Sequence, residues 1–185
     1  MKKIPTIFKR EESLGGKIVN QYVVDTVQLL CSMATEKIDG TNVRITIRNH
    51  NAVRAEKRRN PNKIQKFKGI IEPWYVDATD GDPQDQYIFD GIKNTDFTNI
   101  PDGEWSGELV GKNIQGNPLQ LENNRIIFFT LGQAPVFENV PITFDELKEW
   151  LPMQKSKVNP NAGIEGIVWH CRNGQMMKIK TKDFK

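Results

Sequence analysis

At 185 residues the chain has the size of one ordinary domain and can bury a sizeable core. Its hydrophobic residues, 37% of the total, form no run near the roughly 20 residues of a membrane-spanning helix. A net charge of only +3 excludes a protein that coats nucleic acid by bulk electrostatics alone.

The N-terminus, MKKIPTIFKR, is basic, but Pro5 breaks it and no apolar stretch of a secretory signal follows. The chain is therefore expected in the cytosol, or in a host's cytoplasm if it is viral, with Cys31 and Cys171 reduced. Those cysteines lack C-x-x-C spacing, and His50 and His170 are the sole histidines, so a structural zinc site is not expected. Next comes Glu36-Lys37-Ile38-Asp39-Gly40-Thr41-Asn42, which leads straight into Val43 to Arg48, where apolar and polar side chains alternate as on a half-buried strand. Asn49-His50-Asn51 reads as a turn, with 52–56 as the hairpin partner.

Arg54, Lys57, Arg58, Arg59, Lys63, Lys66 and Lys68 form a basic run, which on its own reads as a solvated face. Asp77, Asp80, Asp82, Asp85 and Asp90 lie in a Gly- and Pro-punctuated segment expected to be a loop or insertion. The stretch 125–131 is β-rich, with two phenylalanines, and suits a central strand. Thr143 and Glu146 have capping-box spacing, which predicts a helix running to about Leu151, where Pro152 ends it. Segments 165–170 and 175–180 read as strands joined through Arg172-Asn173-Gly174, a strong hairpin signal. Alternation puts Lys178 and Lys180 on one face and Ile179 on the other, and the turn brings the cationic face near Glu165. The same alternation sets His170 on the face opposite Glu165, where a structural role is expected. Trp74, Trp105, Trp150 and Trp169 read first as packing residues. Strands outnumber helices, which predicts an α+β fold with largely antiparallel sheets.

K-x-D-G at Lys37 to Gly40 is too short to mean much alone. It is followed in order by Gly107-Glu108-Leu109, by Glu165-Gly166-Ile167-Val168 and by Lys178-Ile179-Lys180. This series resembles the motifs of the covalent nucleotidyltransferases, the superfamily of ATP-dependent ligases and mRNA capping enzymes. The longer stretches TEKIDGT, RRNPNK, GELVGKNIQGNP and IEGIVWHC resemble the RNA ligase 1 family of ATP-dependent 5′-to-3′ RNA ligases. The likeness runs from about Thr35 to Lys180. Asn42 also fits the E-K-x-x-G-T-N form shared by phage and kinetoplastid RNA ligases.

The resemblance implies a nucleotidyltransferase domain with antiparallel β-sheets flanked by helices. It implies ATP and Mg²⁺, with Mn²⁺ as a substitute, and RNA with 5′-phosphate and 3′-hydroxyl ends. Lys37 would be the nucleophile that becomes lysyl-AMP, with Glu36 reading the adenine edge. Glu108 would hold the ribose or a metal-bound water, and Phe129, or else Phe128, would stack on the base. Arg59, or else Arg58, would take the place of the superfamily's motif I-adjacent arginine. Glu165 would organise the metal, and Lys178 and Lys180 would meet phosphate. The chemistry explains the grouping: an amine with a reference pKa of about 10.4 is neutral in only about one molecule in a thousand near neutrality, and cations around it favour the neutral form while they hold phosphate charge.

The last motif lies about five residues from the final one, so the expectation is a single adenylyltransferase domain over 1–185 without a C-terminal OB-type domain. A separate RNA-binding domain or protein partner would then be an added component. A DNA ligase, a GTP-dependent capping transferase and a catalytically idle nucleic-acid-binding module are the competing readings. Intact Lys37, Glu165, Lys178 and Lys180 weigh against the idle module.

Overall fold

The computed structural model describes residues 3–129 and 132–184. In chain order the elements are β1 (Phe8–Glu11), β2 (Lys17–Tyr22), α1 (Thr26–Leu30), β3 (Met33–Glu36), β4 (Thr41–Arg48), β5 (Asn51–Arg59), α2 (Lys63–Phe67), β6 (Trp74–Asp77), α3 (Gln86–Lys93), β7 (Gly103–Val110), β8 (Arg125–Phe128), β9 (Val136–Phe137), α4 (Phe144–Trp150), β10 (Gly166–His170) and β11 (Met176–Lys180). The strands form a β1-β2 ribbon, a four-stranded sheet ordered β11-β10-β3-β9 and a five-stranded sheet ordered β6-β5-β4-β7-β8. All these pairings are antiparallel, which gives the α+β class expected from the sequence. No helix among the described residues is long and apolar enough to cross a membrane. Two compact units emerge, one of Asp39–Gln133 and one of Lys3–Ile38 with Ala134–Lys185.

In the first unit the alternation of β4 sends Val43, Ile45 and Ile47 into full burial, while Arg44 and Thr46 face the other side. Asn49 and His50 take φ of 47° and 60°, the left-handed pair that a two-residue hairpin turn needs and that Asn tolerates well. Strand β8 ends at Phe128, which is fully buried against Phe97 with ring centroids 6.2 Å apart. Thr130 and Leu131, the end of the expected strand, lie outside the described residues. The acidic segment is more ordered than its Gly and Pro residues suggested. Asp77 closes β6 and Asp90 lies within α3, whose Ile88 and Ile92, spaced i and i+4, pack on the core. Asp85 is 1% exposed and accepts hydrogen bonds from Lys57 Nζ and, at 3.0 Å, from the Thr79 amide. Burial alone would raise its carboxyl, but the Lys57 ammonium and the Thr79 N–H outweigh that and hold it below the usual range.

The second unit is built on Ile167 and Trp169 of β10 and Met177 and Ile179 of β11, which pack with Ile7, Phe8, Leu147 and Leu151. Phe8 sits among aromatic neighbours, 4.9 Å from the Tyr22 ring and 5.1 Å from that of Phe144. Residues 5–7 line the edge of β11: the Lys178 amide donates to the Pro5 carbonyl at 2.9 Å and the Ile7 amide to the Lys178 carbonyl at 3.0 Å. Helix α4 begins where expected and runs into a 3₁₀ turn, Leu151–Met153, that contains Pro152. The Thr143 hydroxyl, however, donates to the Glu146 carboxylate at 2.5 Å rather than capping a helix amide. The full capping box belongs instead to α2, between Asn62 and Gln65. Trp169 is core and Trp150 packs edge-on against Phe137, while Trp105 packs on the first unit's core. Trp74 is the exposed tryptophan, at 36%.

Candidate active site

Lys37 follows directly on β3. Its amide donates to the Gly166 carbonyl at 2.9 Å, which ties the nucleophile candidate to the start of β10. Its side-chain nitrogen donates to Glu165 Oε2 at 2.5 Å, and the other carboxylate oxygen of Glu165 accepts from Lys180 Nζ. One carboxylate thus joins two lysines, each about one-fifth exposed: Lys180 from the hairpin, and Lys37, which the hairpin reading did not include. Strand register explains how: Gly166 pairs with Lys180 and Val168 with Lys178, so the motif residues come level along adjacent strands. A side chain at Gly166 would not fit, because its Cβ would lie 2.0 Å from the Ile179 carbonyl oxygen. Lys178 stands beside this cluster. Burial, then the charges of Lys180, Lys37 and Lys3, push its amine down to about 8, with Glu165 acting against them.

The parity argument fails for His170. Glu165 precedes β10, so strand alternation does not govern it, and His170 shares the face of Lys178. Its Nε2 lies 2.9 Å from the Thr35 hydroxyl, and burial lowers its pKa. A structural role fits this contact.

Glu36, 2% exposed, points to the opposite side of β3 from Thr35. Its Oε2 accepts from the Lys157 amide at 2.9 Å, whereas Oε1 is buried with no hydrogen-bond partner among the described residues. Burial pushes its carboxyl up, against the pull of the Ser156 hydroxyl and the Lys157 amide. A buried acceptor without a donor costs free energy unless something fills the vacancy. The contributions of Ser156 and Lys157 had no signal in the sequence.

The remaining candidates belong to the first unit. Asn42, Arg44 and Thr46 of β4 share a sheet face with Glu104, Ser106 and Glu108 of β7, with Glu56 and Arg58 of β5 and with Tyr75 of β6, as the register pairs require. The Tyr75 hydroxyl donates to Asn42 Oδ1 at 2.7 Å, and Asn42 Nδ2 donates to the Gly107 carbonyl at 3.3 Å, which fixes the amide's orientation. Arg44 makes two bonds to the buried Glu56 carboxylate at 2.6 and 2.7 Å and lies 4.5 Å above the Tyr75 ring. Arg58 joins this face half-buried, with Nε buried and unpartnered among the described residues. Arg59, the choice made from sequence, is exposed on the opposite face, where its charge acts on Asp85. Alternation along β5 therefore places Arg58, and not Arg59, with Asn42 and Glu108. Phe129 follows β8 half-buried, while Phe128 is consumed by the core. Gly40 of K-x-D-G is required for packing: a Cβ there would stand 2.2 Å from the Leu109 carbonyl oxygen and 2.9 Å from Glu108 Cγ.

The fold is that of the ligase-type nucleotidyltransferases. The chain superposes on Naegleria gruberi RNA ligase, in its structure with pyrophosphate, with a TM-score of 0.53 at 14% identity, over 100% of this chain and 59% of that one. A variant of that ligase with ATP and Mn gives a TM-score of 0.54 with the same coverage and identity.

Residues 100–184, less than half of the chain, match the family model of RNA ligase 1. RNA ligase 1 of Pongo abelii is 36% identical over 75 residues, and that of Rattus norvegicus 35%. The matched stretch is 39% of this chain and 22% of either relative, so the likeness spans about a fifth of those proteins.

Proposed function

We propose that the protein is an ATP- and Mg²⁺-dependent RNA ligase that joins a 5′-phosphate to a 3′-hydroxyl in RNA repair. Lys37 attacks the ATP α-phosphorus, an N–P bond forms, the bond to the departing pyrophosphate breaks, and the amine loses its protons. The AMP then passes to the RNA 5′-phosphate, and the 3′-hydroxyl displaces it. The observation that carries this reading is Lys37 within 2.5 Å of Glu165, with Lys180 on the same carboxylate and Lys178 beside them. Glu165 holds Lys37 as an ion pair. Lys37 has a lone pair to give only once that pair is released.

Lys178 and Lys180 meet the phosphates, and the unfilled Glu36 Oε1 offers an acceptor for an exocyclic amine of the base. Among the described residues no cluster of three or more His, Cys, Asp or Glu forms a ready-made metal cage. That suits Mg²⁺, which keeps several waters and takes one or two carboxylates plus substrate phosphates. Glu165 is the carboxylate proposed for it, and when bound the metal would neutralise charge on the transferred phosphate. Support comes from the family match over residues 100–184 and from the related fold of a ligase whose structures contain ATP, AMP and Mn.

The test is intact-protein mass spectrometry after incubation with Mg²⁺ and either ATP or GTP, for the parent and Lys37→Ala. A gain of one AMP with ATP alone, absent from the variant, is the expected result. An adduct with GTP would place the chain with the capping enzymes, and no adduct with either nucleotide would favour a binding module.

A further inference from the structure

The connection between β5 and β6 is an exposed surface that the adenylylation site does not use. It leaves the five-stranded sheet after Arg59 and returns at Trp74, and these two residues are register partners on one face of the sheet's edge. Helix α2, in its middle, is well specified at both ends. Asn62 and Gln65 form reciprocal capping bonds of 2.9 Å each. At the other end Gly69, with φ of 81°, closes a Schellman motif in which the Ile70 amide donates to the Gln65 carbonyl at 2.9 Å and the Gly69 amide to that of Lys66 at 3.0 Å.

A helix fixed this firmly by its caps has nonetheless buried none of its apolar side chains. Phe67 is 93% exposed, Ile71 75% and Ile64 68%. Between them stand Lys63, Lys66 and Lys68, none of which enters an ion pair among the described residues. The one carboxylate in the connection is Glu72, which already has a partner. A surface awaiting a protein's apolar side chains has little use for this many unpaired ammonium groups. Open aromatic rings set among free cations suit a ligand with flat π-faces on a polyanionic backbone.

We propose that the surface formed by Arg59, Lys63, Lys66, Phe67, Lys68 and Trp74 binds a single-stranded RNA segment, with bases stacked on Phe67 and Trp74 and phosphates held by the lysines and Arg59. This rests on the RNA ligase reading, for which it names where the polynucleotide is held. Spacing along α2 supports it. Lys63 and Lys66 form one ridge and Ile64 and Phe67 the next, so a strand lying along the helix meets charge on one side and ring on the other.

The experiment uses the full chain and a fluorescently labelled single-stranded RNA 12-mer, with anisotropy titrations at several salt concentrations for the parent, Phe67→Ala and the triple variant Lys63→Gln/Lys66→Gln/Lys68→Gln. Phe67→Ala is expected to weaken binding by roughly 5- to 100-fold, the range for losing one base–aromatic stack. The triple variant should lower the slope of log K against log salt by about 2, at about 0.7 for each single-strand phosphate contact. Both should still gain AMP from ATP as the parent does. Unchanged affinity and slope in both variants would overturn the proposal, and so would a parent chain that binds no RNA. A self-associating parent made monomeric by Phe67→Ala, with RNA affinity unchanged, would assign the surface to protein and overturn it as well. RNA binding that fails in the variants while even the parent forms no AMP adduct would leave this surface established and remove the ligase reading instead.

Discussion

A carboxylate between two ammonium groups can release either one only at the expense of an ion pair, and Glu165 stands in that position between Lys37 and Lys180. Glu165→Gln keeps the shape and removes the charge. Adduct formation from ATP should fall by on the order of 100-fold, as when one charge-stabilising group is lost from a site, with the far-ultraviolet circular dichroism unchanged. Mass spectrometry against time decides it, and an undiminished rate would reduce Glu165 to a structural partner. Lys178 supplies a pH signature. Its folded-state amine, at about 8, lies below the ordinary 10.5, so below about 8 both folded and unfolded chains carry the charge and the cost of burying it is full. Between about 8 and 10.5 only the unfolded chain holds the proton, so stability rises with pH across that window, and above it the cost is gone. Lys178→Met should flatten the rise, read as urea midpoints from about pH 7.5 to about pH 10 for parent and variant. At this scale period-two alternation made the Lys178–Lys180 face legible. It misplaced His170, because parity needs a known strand start and Glu165, counted as part of the strand, precedes β10; the choice between Arg58 and Arg59 rested on the motif resemblance, which does not carry strand parity.

The elements bring these side chains together through close backbone approaches that allow no Cβ. Gly166→Ala would drive a methyl against the Ile179 carbonyl, 2.0 Å from the ideal Cβ position, and push β10 from β11 at the pair that aligns Gly166 with Lys180. Loss of the AMP adduct is expected although Lys37, Glu165 and Lys180 are all present. Gly163→Ala is the matched control, since its Cβ would meet only the Gln154 carbonyl at 3.9 Å. Equal adduct yields from the two variants would show that the strand spacing does not position the site. Hairpins were the most legible elements, since Asn49-His50 and Asn173-Gly174 announce turns whose geometry follows from the residues themselves. Helices α2 and α3 were not read. Five residues of α2 bury nothing, so it has no amphipathic stripe to detect, and the Gly and Pro residues before α3 drew attention from its Ile88–Ile92 spacing.

At the scale of the whole molecule, two hydrophobic clusters share no residue, one around Phe8, Trp169 and Ile179 and the other around Val43, Ile45 and Phe128. The motif order made the fold family legible, yet the pairings beyond the two hairpins were not, because contacts such as β3 with β10 join residues more than a hundred positions apart and leave no local pattern. The division of the core has a measurable consequence. Phe8 is fully buried between Tyr22 and Phe144, and Phe8→Ala should cost about 3–5 kcal/mol, the usual range for removing a core phenylalanine. Local stability differs between cooperative units of one chain, so the loss should fall first on the cluster that contains the cavity. Native-state hydrogen exchange is then expected to speed at amides of β3, β10 and β11 while those of β4 and β7 keep their protection. A uniform drop across all five strands would mean that the two clusters unfold as one. Unequal loss would mean that the Lys37 cluster can loosen while the face carrying Asn42 and Glu108 stays folded, so that adduct formation in the variant should fall with the protection of β10 rather than with that of β4.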